Sequence, residues 1–177
     1  PEFAACVREL LAQENFLPCA VVAHSFGARI AVKAAAEDKE LFSSLVLTGA
    51  AGLKPRRSIS YRLKRLRFLT AKRFFPKEKL EKYYSADYRA LNDVMRKSFV
   101  KIVGEHLDGT ASFVENPVLL VYGAEDRETP LYMAKRYHKY IRGSRLIVIP
   151  RAGHFCFAEQ AAAFNYPVRE FLLSSKE

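Results

Sequence analysis

"VVAHSFGARIAVKAA", residues 21–35, joins a short apolar run to an alanine-rich stretch of helical spacing, with Ser25 at the junction. "CAVVA" (19–23) reads as a short buried strand and 26–38 as a helix. A serine at such a junction either caps the helix or is a nucleophile lifted out of a sheet by a sharp turn. A sharp turn brings position 23 against position 27, so both are expected to be small, as Ala23 and Gly27 are. The helix N-terminus then offers Phe26 N–H to a developing oxyanion. The strict pattern for this turn is G-x-S-x-G, and this chain has A-H-S-F-G. Alone, the match does not separate nucleophile from cap, because serines commonly cap helices.

Working outward, residues 3–14 space Phe3, Val7, Leu10 and Leu11 at helical intervals. "SLVLTG" (44–49), "PVLLVYG" (117–123) and "RLIVIP" (145–150) are further strand-like runs. Between the last two, 130–142 reads as a helix opened by Pro130 and closed near Gly143, and 158–173 as a final helix kinked or broken at Pro167. Continuous apolar strands separated by helices predict a parallel sheet covered on both faces. There is no internal repeat and no low-complexity tract.

Two more residues then stand at strand ends. "VYGAEDRETP" puts Asp126 just past the third strand, and "IPRAGHFCF" puts His154 just past the fourth. Ser25, Asp126 and His154 thus all lie at carboxyl ends of parallel strands, where open α/β sheets assemble their sites. A serine hydroxyl is a poor nucleophile until a histidine takes its proton, and a carboxylate fixes that histidine's tautomer. Three residue types in the order Ser, Asp, His point to a catalytic triad. Glu125 and Glu128 flank Asp126 at less favourable offsets and read as loop surface. His24 is read as positioning the turn, His106 and His138 as surface residues of helices, and Cys156 as a core thiol near the base.

The chain of 177 residues suffices for one domain with a sizeable core. Its net charge of +10 is concentrated: between Lys54 and Asp108 there are sixteen Lys and Arg against six Asp and Glu. The rest of the chain is neutral, so this segment is expected to be a subdomain of its own. It interleaves its cations with Tyr61, Phe68, Phe74, Phe75, Tyr83, Tyr84 and Tyr88. Such a segment reads as a solvated basic cap, with attraction of anionic substrates or an anionic membrane surface as the sharper alternative. Basic and aromatic residues also suit single-stranded nucleic acid, but no nucleic-acid motif accompanies them. No apolar run reaches the ~18–20 residues that span a bilayer, and the start lacks a signal pattern. Cys6, Cys19 and Cys156 have no metal-ligand spacing and read as reduced core thiols of a cytoplasmic protein.

With "AHSFGA", "GAEDRETP" and "AGHF", the chain resembles the α/β-hydrolase superfamily, in particular its lid-bearing bacterial serine hydrolases. The resemblance implies Ser25 as nucleophile, Asp126 as acid, His154 as base and Phe26 N–H as one oxyanion donor. It implies a core over 1–53 and 113–177, with a helical cap over 54–112. Ala28, where a second glycine is common, is a minor departure. The family carries four strands ahead of the elbow strand, and this chain carries one helix there. The expected fold is therefore a truncated α/β-hydrolase fold: a parallel sheet of about four strands flanked by helices, with a cap insert. The turn that usually supplies the second oxyanion N–H falls in the part not seen here, so weak turnover is expected.

The function implied is hydrolysis of a carboxylic ester or related small acyl substrate through an acyl-enzyme, with no cofactor and no metal. Carbon–carbon, thioester and lactone cleavage use the same triad, and a non-catalytic scaffold is the alternative from another class. The strand 19–23, unpaired on one side, is expected to drive self-association as a two-fold dimer.

Overall fold

The computed structural model describes residues 2–56, 63, 66–68, 70 and 92–175. The chain divides into two compact units, one of Pro1–Lys54 with His106–Glu177 and one of Pro55–Glu105.

The first unit is built on a four-stranded sheet in the order β1-β2-β3-β4, with every neighbouring pair parallel. The strands are β1 (Cys19–His24), β2 (Phe42–Thr48), β3 (Val118–Gly123) and β4 (Arg145–Ile149). Side chains alternate across a strand, and here both faces of the central strands are apolar. Leu45, Leu47, Val118, Leu120 and Tyr122 face helices α1 (Glu2–Gln13) and α2 (Phe26–Glu37) and their neighbours. Val46, Leu119 and Val121 face the other way, onto Phe164, Val168 and Phe171. Those three belong to the C-terminal helix Ala161–Ser174. Helix α2 presents Ala28, Ala31, Val32, Ala34 and Ala35 as its buried stripe, small side chains that let it lie close to the sheet.

Residues 106–112, expected within the cap, pack instead in the first unit, because Leu107 and Ala111 are buried in its core. Where the chain leaves and re-enters this unit, its two ends are tied together. Asp108 accepts the Lys54 N–H at 2.9 Å, and Arg136 donates to the Lys54 carbonyl at 2.6 Å while pairing with the Asp108 carboxylate.

In the second unit, helix α3 (Asp93–Gly104) is capped by Asn92, whose side chain accepts the Met95 N–H at 2.9 Å. Tyr61, Phe74, Phe75, Tyr83, Tyr84 and Tyr88, together with most of the insert's cations, lie outside the described residues. Helix α4 (Leu131–Tyr140) follows Pro130 as expected. The last helical stretch differs from expectation. A short helix α5 (Cys156–Glu159) is separated from α6 (Ala161–Ser174) at Gln160, and α6 continues through Pro167. Gln160 sits at φ −137 and ψ 56, outside the helical region, so the break falls there rather than at the proline. Among the described residues no helix is long and apolar enough to cross a membrane.

Candidate active site

Ser25 has φ 49 and ψ −109, a left-handed conformation that is uncommon for a residue with a side chain. It stands at the N-cap of α2, yet its side chain makes no capping hydrogen bond. The hydroxyl is thus not consumed by the helix. The backbone holds the turn instead. Ser25 N–H donates to Thr48 O at 3.0 Å, and its carbonyl accepts from Arg29 at 3.3 Å and Ala51 at 3.2 Å. Residues 50 and 51 are in turn pinned from beneath, because Tyr122 and Tyr137 donate their hydroxyls to the Ala50 and Ala51 carbonyls. The expected crowding between positions 23 and 27 is not found: a Cβ on Gly27 would meet nothing within 4 Å. Backbone bonding to the end of β2 shapes this turn, and the small residue at 27 is not forced by contact.

The loops after β3 and β4 converge for a different reason. A Cβ on Gly123 would lie 2.2 Å from the carbonyl oxygens of both Ala152 and Gly153. Only glycine admits that approach, and it lets Glu125 N–H reach Ala152 O at 2.9 Å. The convergence brings His154 Nδ1 to 2.9 Å from Asp126 Oδ2. Asp126 is 5% exposed, and its carboxylate is fully engaged. Oδ1 accepts the N–H groups of Glu128 and Thr129, each at 2.9 Å, and Oδ2 accepts the Thr129 hydroxyl at 2.7 Å as well as His154. Burial pushes this carboxyl's pKa up, but the hydrogen bonds from His154 and Thr129 outweigh it, and the net shift is downward. Asp126 is therefore ionised at neutral pH, and the imidazole proton is held on Nδ1.

His154 rests against the end of β2. A Cβ on Gly49, at φ +51, would come 3.0 Å from His154 Cε1 and 3.3 Å from His24 Cε1. The histidine ring therefore occupies the space a side chain would need, one residue beyond the Thr48 carbonyl that anchors Ser25. The hydrogen bonds described for His154 run to Asp126 and Thr129. Phe26 opens α2, where first-turn N–H groups have no intrahelical acceptor, and its ring lies edge-on against Phe3 at 5.6 Å.

Glu125 and Glu128 are exposed on the loop, as read from the sequence. Of the three cysteines expected in the core, Cys6 is exposed and Cys19 half-buried; Cys156 is buried beside Thr48, and burial pushes its thiol pKa up, so it stays protonated. His138 is exposed on α4, and His106 is exposed but lies outside a helix. Two contributors were not read from the sequence. Thr129 closes the carboxylate's shell. Glu159 accepts the Gly153 N–H at 2.6 Å and the Phe155 N–H at 3.2 Å, clasping the loop on both sides of His154. An acid one turn into the short helix after the histidine, the spacing of a cap reaching back, was the signal available. Among the described residues no cluster of His, Cys, Asp or Glu could hold a metal ion.

Residues 1–165 match the alpha/beta hydrolase family. The chain belongs to that family. Solved structures agree in fold. An esterase from Exiguobacterium antarcticum superimposes with TM-score 0.71 at 20% identity, over 96% of this hydrolase-family chain and 72% of its own. A meta-cleavage product hydrolase from Pseudomonas fluorescens IP01 gives TM-score 0.65 at 21% identity, over 94% of this chain and 68% of its own. Among curated relatives, a pimeloyl-(acyl-carrier protein) methyl ester esterase of Neisseria meningitidis is 41% identical over 59 residues, 33% of this chain and 23% of the relative. The human serine hydrolase BPHL is 36% identical over 59 residues, which is 20% of its length. The matched stretch is thus about a quarter or less of these curated relatives.

Proposed function

We propose that this family member is a serine hydrolase of carboxylic esters, with Ser25 as nucleophile, His154 as general base and Asp126 as the acid that orients it. The observation that carries the reading is the buried Asp126 carboxylate bonded to His154 Nδ1 at 2.9 Å, at the same sheet edge as a serine whose hydroxyl does not cap its helix. In this mechanism His154 Nε2 takes the Ser25 proton as Oγ attacks the ester carbonyl, and Asp126 stabilises the imidazolium. The Phe26 N–H donates to the oxyanion. Collapse expels the alcohol, which takes the proton from His154 and leaves an acyl group on Ser25. Water, deprotonated by the same imidazole, then releases the acid.

Likeness to the Neisseria esterases favours an ester of an acyl chain as substrate, and the cationic segment between Lys54 and Asp108 favours an anionic one. A fluorophosphonate probe tests the reading. It is expected to label wild-type protein at Ser25, to leave Ser25→Ala unlabelled, and to label His154→Ala far more slowly. Silence of the wild-type protein would favour a non-catalytic binding unit. Labelling combined with turnover of a carbon–carbon substrate and none of p-nitrophenyl esters would move the reaction to that bond.

A further inference from the structure

The residue before the nucleophile, His24, is not used by the mechanism above, yet its ring lies against the base. The centroids of His24 and His154 are 4.6 Å apart, tilted by 54°. Phe155 and Phe157 complete the surround of His24, with centroids 5.2 and 5.1 Å away. Both imidazoles meet over Gly49, where a Cβ would crowd each of them, at 3.0 Å from His154 and 3.3 Å from His24. Among the described residues His24 Nδ1 is buried without a hydrogen-bond partner. A buried ring nitrogen with no acceptor is tolerable as a bare lone pair and costly as an N–H, which marks the ring as a neutral imidazole. Burial, and then the neighbouring His154, hold the His24 pKa below its ordinary value, against the Thr48 carbonyl and the Asp126 charge.

We propose that His24 is a positioning residue for His154: a neutral aromatic floor that fixes the plane of the base. The inference rests on the assignment of His154 as general base. Its logic is geometric. The bond from Nδ1 to Asp126 fixes one edge of the imidazole and Phe155 lies edge-on at 5.3 Å, but Gly49 offers no side chain to hold the ring on its side. An aromatic surface 4.6 Å away supplies the missing stop. Neutrality matters because His154 becomes an imidazolium during turnover. A charged neighbour would oppose that step, whereas a neutral ring does not. His24 also begins the turn that carries Ser25, so the nucleophile and the floor beneath its base move as one backbone segment.

The role predicts different outcomes for two substitutions. His24→Ala removes the floor and is expected to lower kcat about three- to tenfold, the span of one aromatic pair, with KM nearly unchanged. His24→Phe restores a ring of similar size without a nitrogen and is expected to recover most of that loss. Proton NMR of the resting protein gives a readout independent of turnover. The downfield His154 Nδ1–H resonance should broaden in His24→Ala and persist in His24→Phe, with circular dichroism checking that each variant is folded. If His24→Ala kept full kcat and an unaltered resonance, the floor would do nothing and the proposal would fall. If His24→Phe were as slow as His24→Ala, the nitrogen rather than the ring would matter, and the proposal would again fall. An inactive His24→Phe that keeps its Nδ1–H signal counts against the floor alone, whereas full turnover in Ser25→Ala would remove the nucleophile assignment itself.

Discussion

The strand that carries the acid and the strand that carries the serine are held in different ways. Every residue of β3 is buried between two parallel neighbours, and the loop after it ends in a carboxylate with four hydrogen bonds. β1, by contrast, pairs only with β2 among the described residues, and its Val22 is 53% exposed. Ser25 follows it in a left-handed conformation held by the backbone, with its hydroxyl outside the helix cap. One half of the site is locked by side-chain bonds in a buried corner, the other by backbone hydrogen bonds at the end of a strand that is paired on one side among the described residues. In the proposed mechanism the base must hold one orientation through the reaction, while the nucleophile must reach a substrate. The difference in support matches those tasks.

Breaking the locked half at its carboxylate should have the largest effect. Asp126→Asn is expected to lower kcat by ~10⁴ through the wrong imidazole tautomer, with the fold retained. A rate near wild type on p-nitrophenyl acetate would move the acid to Glu125 or Glu128. Next comes Gly123→Ala, which forces apart the loops bearing Asp126 and His154, because the new Cβ would lie 2.2 Å from two carbonyl oxygens. Overpacking of this kind costs roughly 1–3 kcal/mol or more, and urea unfolding should show it together with loss of turnover. Gly27→Ala, which meets open space, should be far milder and provides the control on the serine side.

A smaller effect is expected from pH. The Asp126 pKa is depressed below its ordinary value of 3.8, so the folded state binds this proton less readily than the unfolded chain does. Its contribution is therefore complete above the unfolded value and is lost as pH falls through the lower, folded one. Urea midpoints measured between about pH 5 and 2 should decline, and Asp126→Asn should flatten that part of the profile.

The smallest expected signal is at β1. Ser25 N–H bonds toward β2, so by the alternation of a parallel ladder Ala20, Val22 and His24 turn their N–H and C=O groups to the open edge. The self-association expected of this strand would pair those groups antiparallel about Val22. Hydrogen exchange at the three amides should then slow as protein concentration rises to tens of micromolar, in step with a dimer by light scattering. Fast exchange at every concentration in a monomer would remove the pairing and leave β1 an open edge.

Much of this was readable in advance, for identifiable reasons. Uninterrupted apolar runs announced the four parallel strands, because a strand buried on both faces has no polar alternation. Asp126 and His154 were readable because each directly follows such a run. Other features were hidden. Crowding at Gly27 was a reasonable expectation from the turn's sharpness, but the direction of a Cβ depends on where α2 leaves the sheet. The break at Gln160 instead of Pro167 depended on packing, since Val168 and Phe171 beyond the proline bury against the sheet and keep α6 continuous. Thr129 and Glu159 look like ordinary loop and helix residues until the loops they serve are folded.

By itself, then, the sequence determined the parallel architecture and the placing of Ser25, Asp126 and His154 past strand ends, which follow from local pattern, while its motifs carried only a resemblance to the family. The tertiary structure alone decided the contact between Asp126 and His154, the shell of hydrogen bonds that keeps Asp126 ionised, and the tilted contact of the His24 ring with His154. Those features arise where segments distant in the chain meet, at Gly49 and Gly123, where the missing side chain makes room for another loop. Sequence spacing carries no record of such a meeting, because the distance that matters is measured across the sheet and not along the chain.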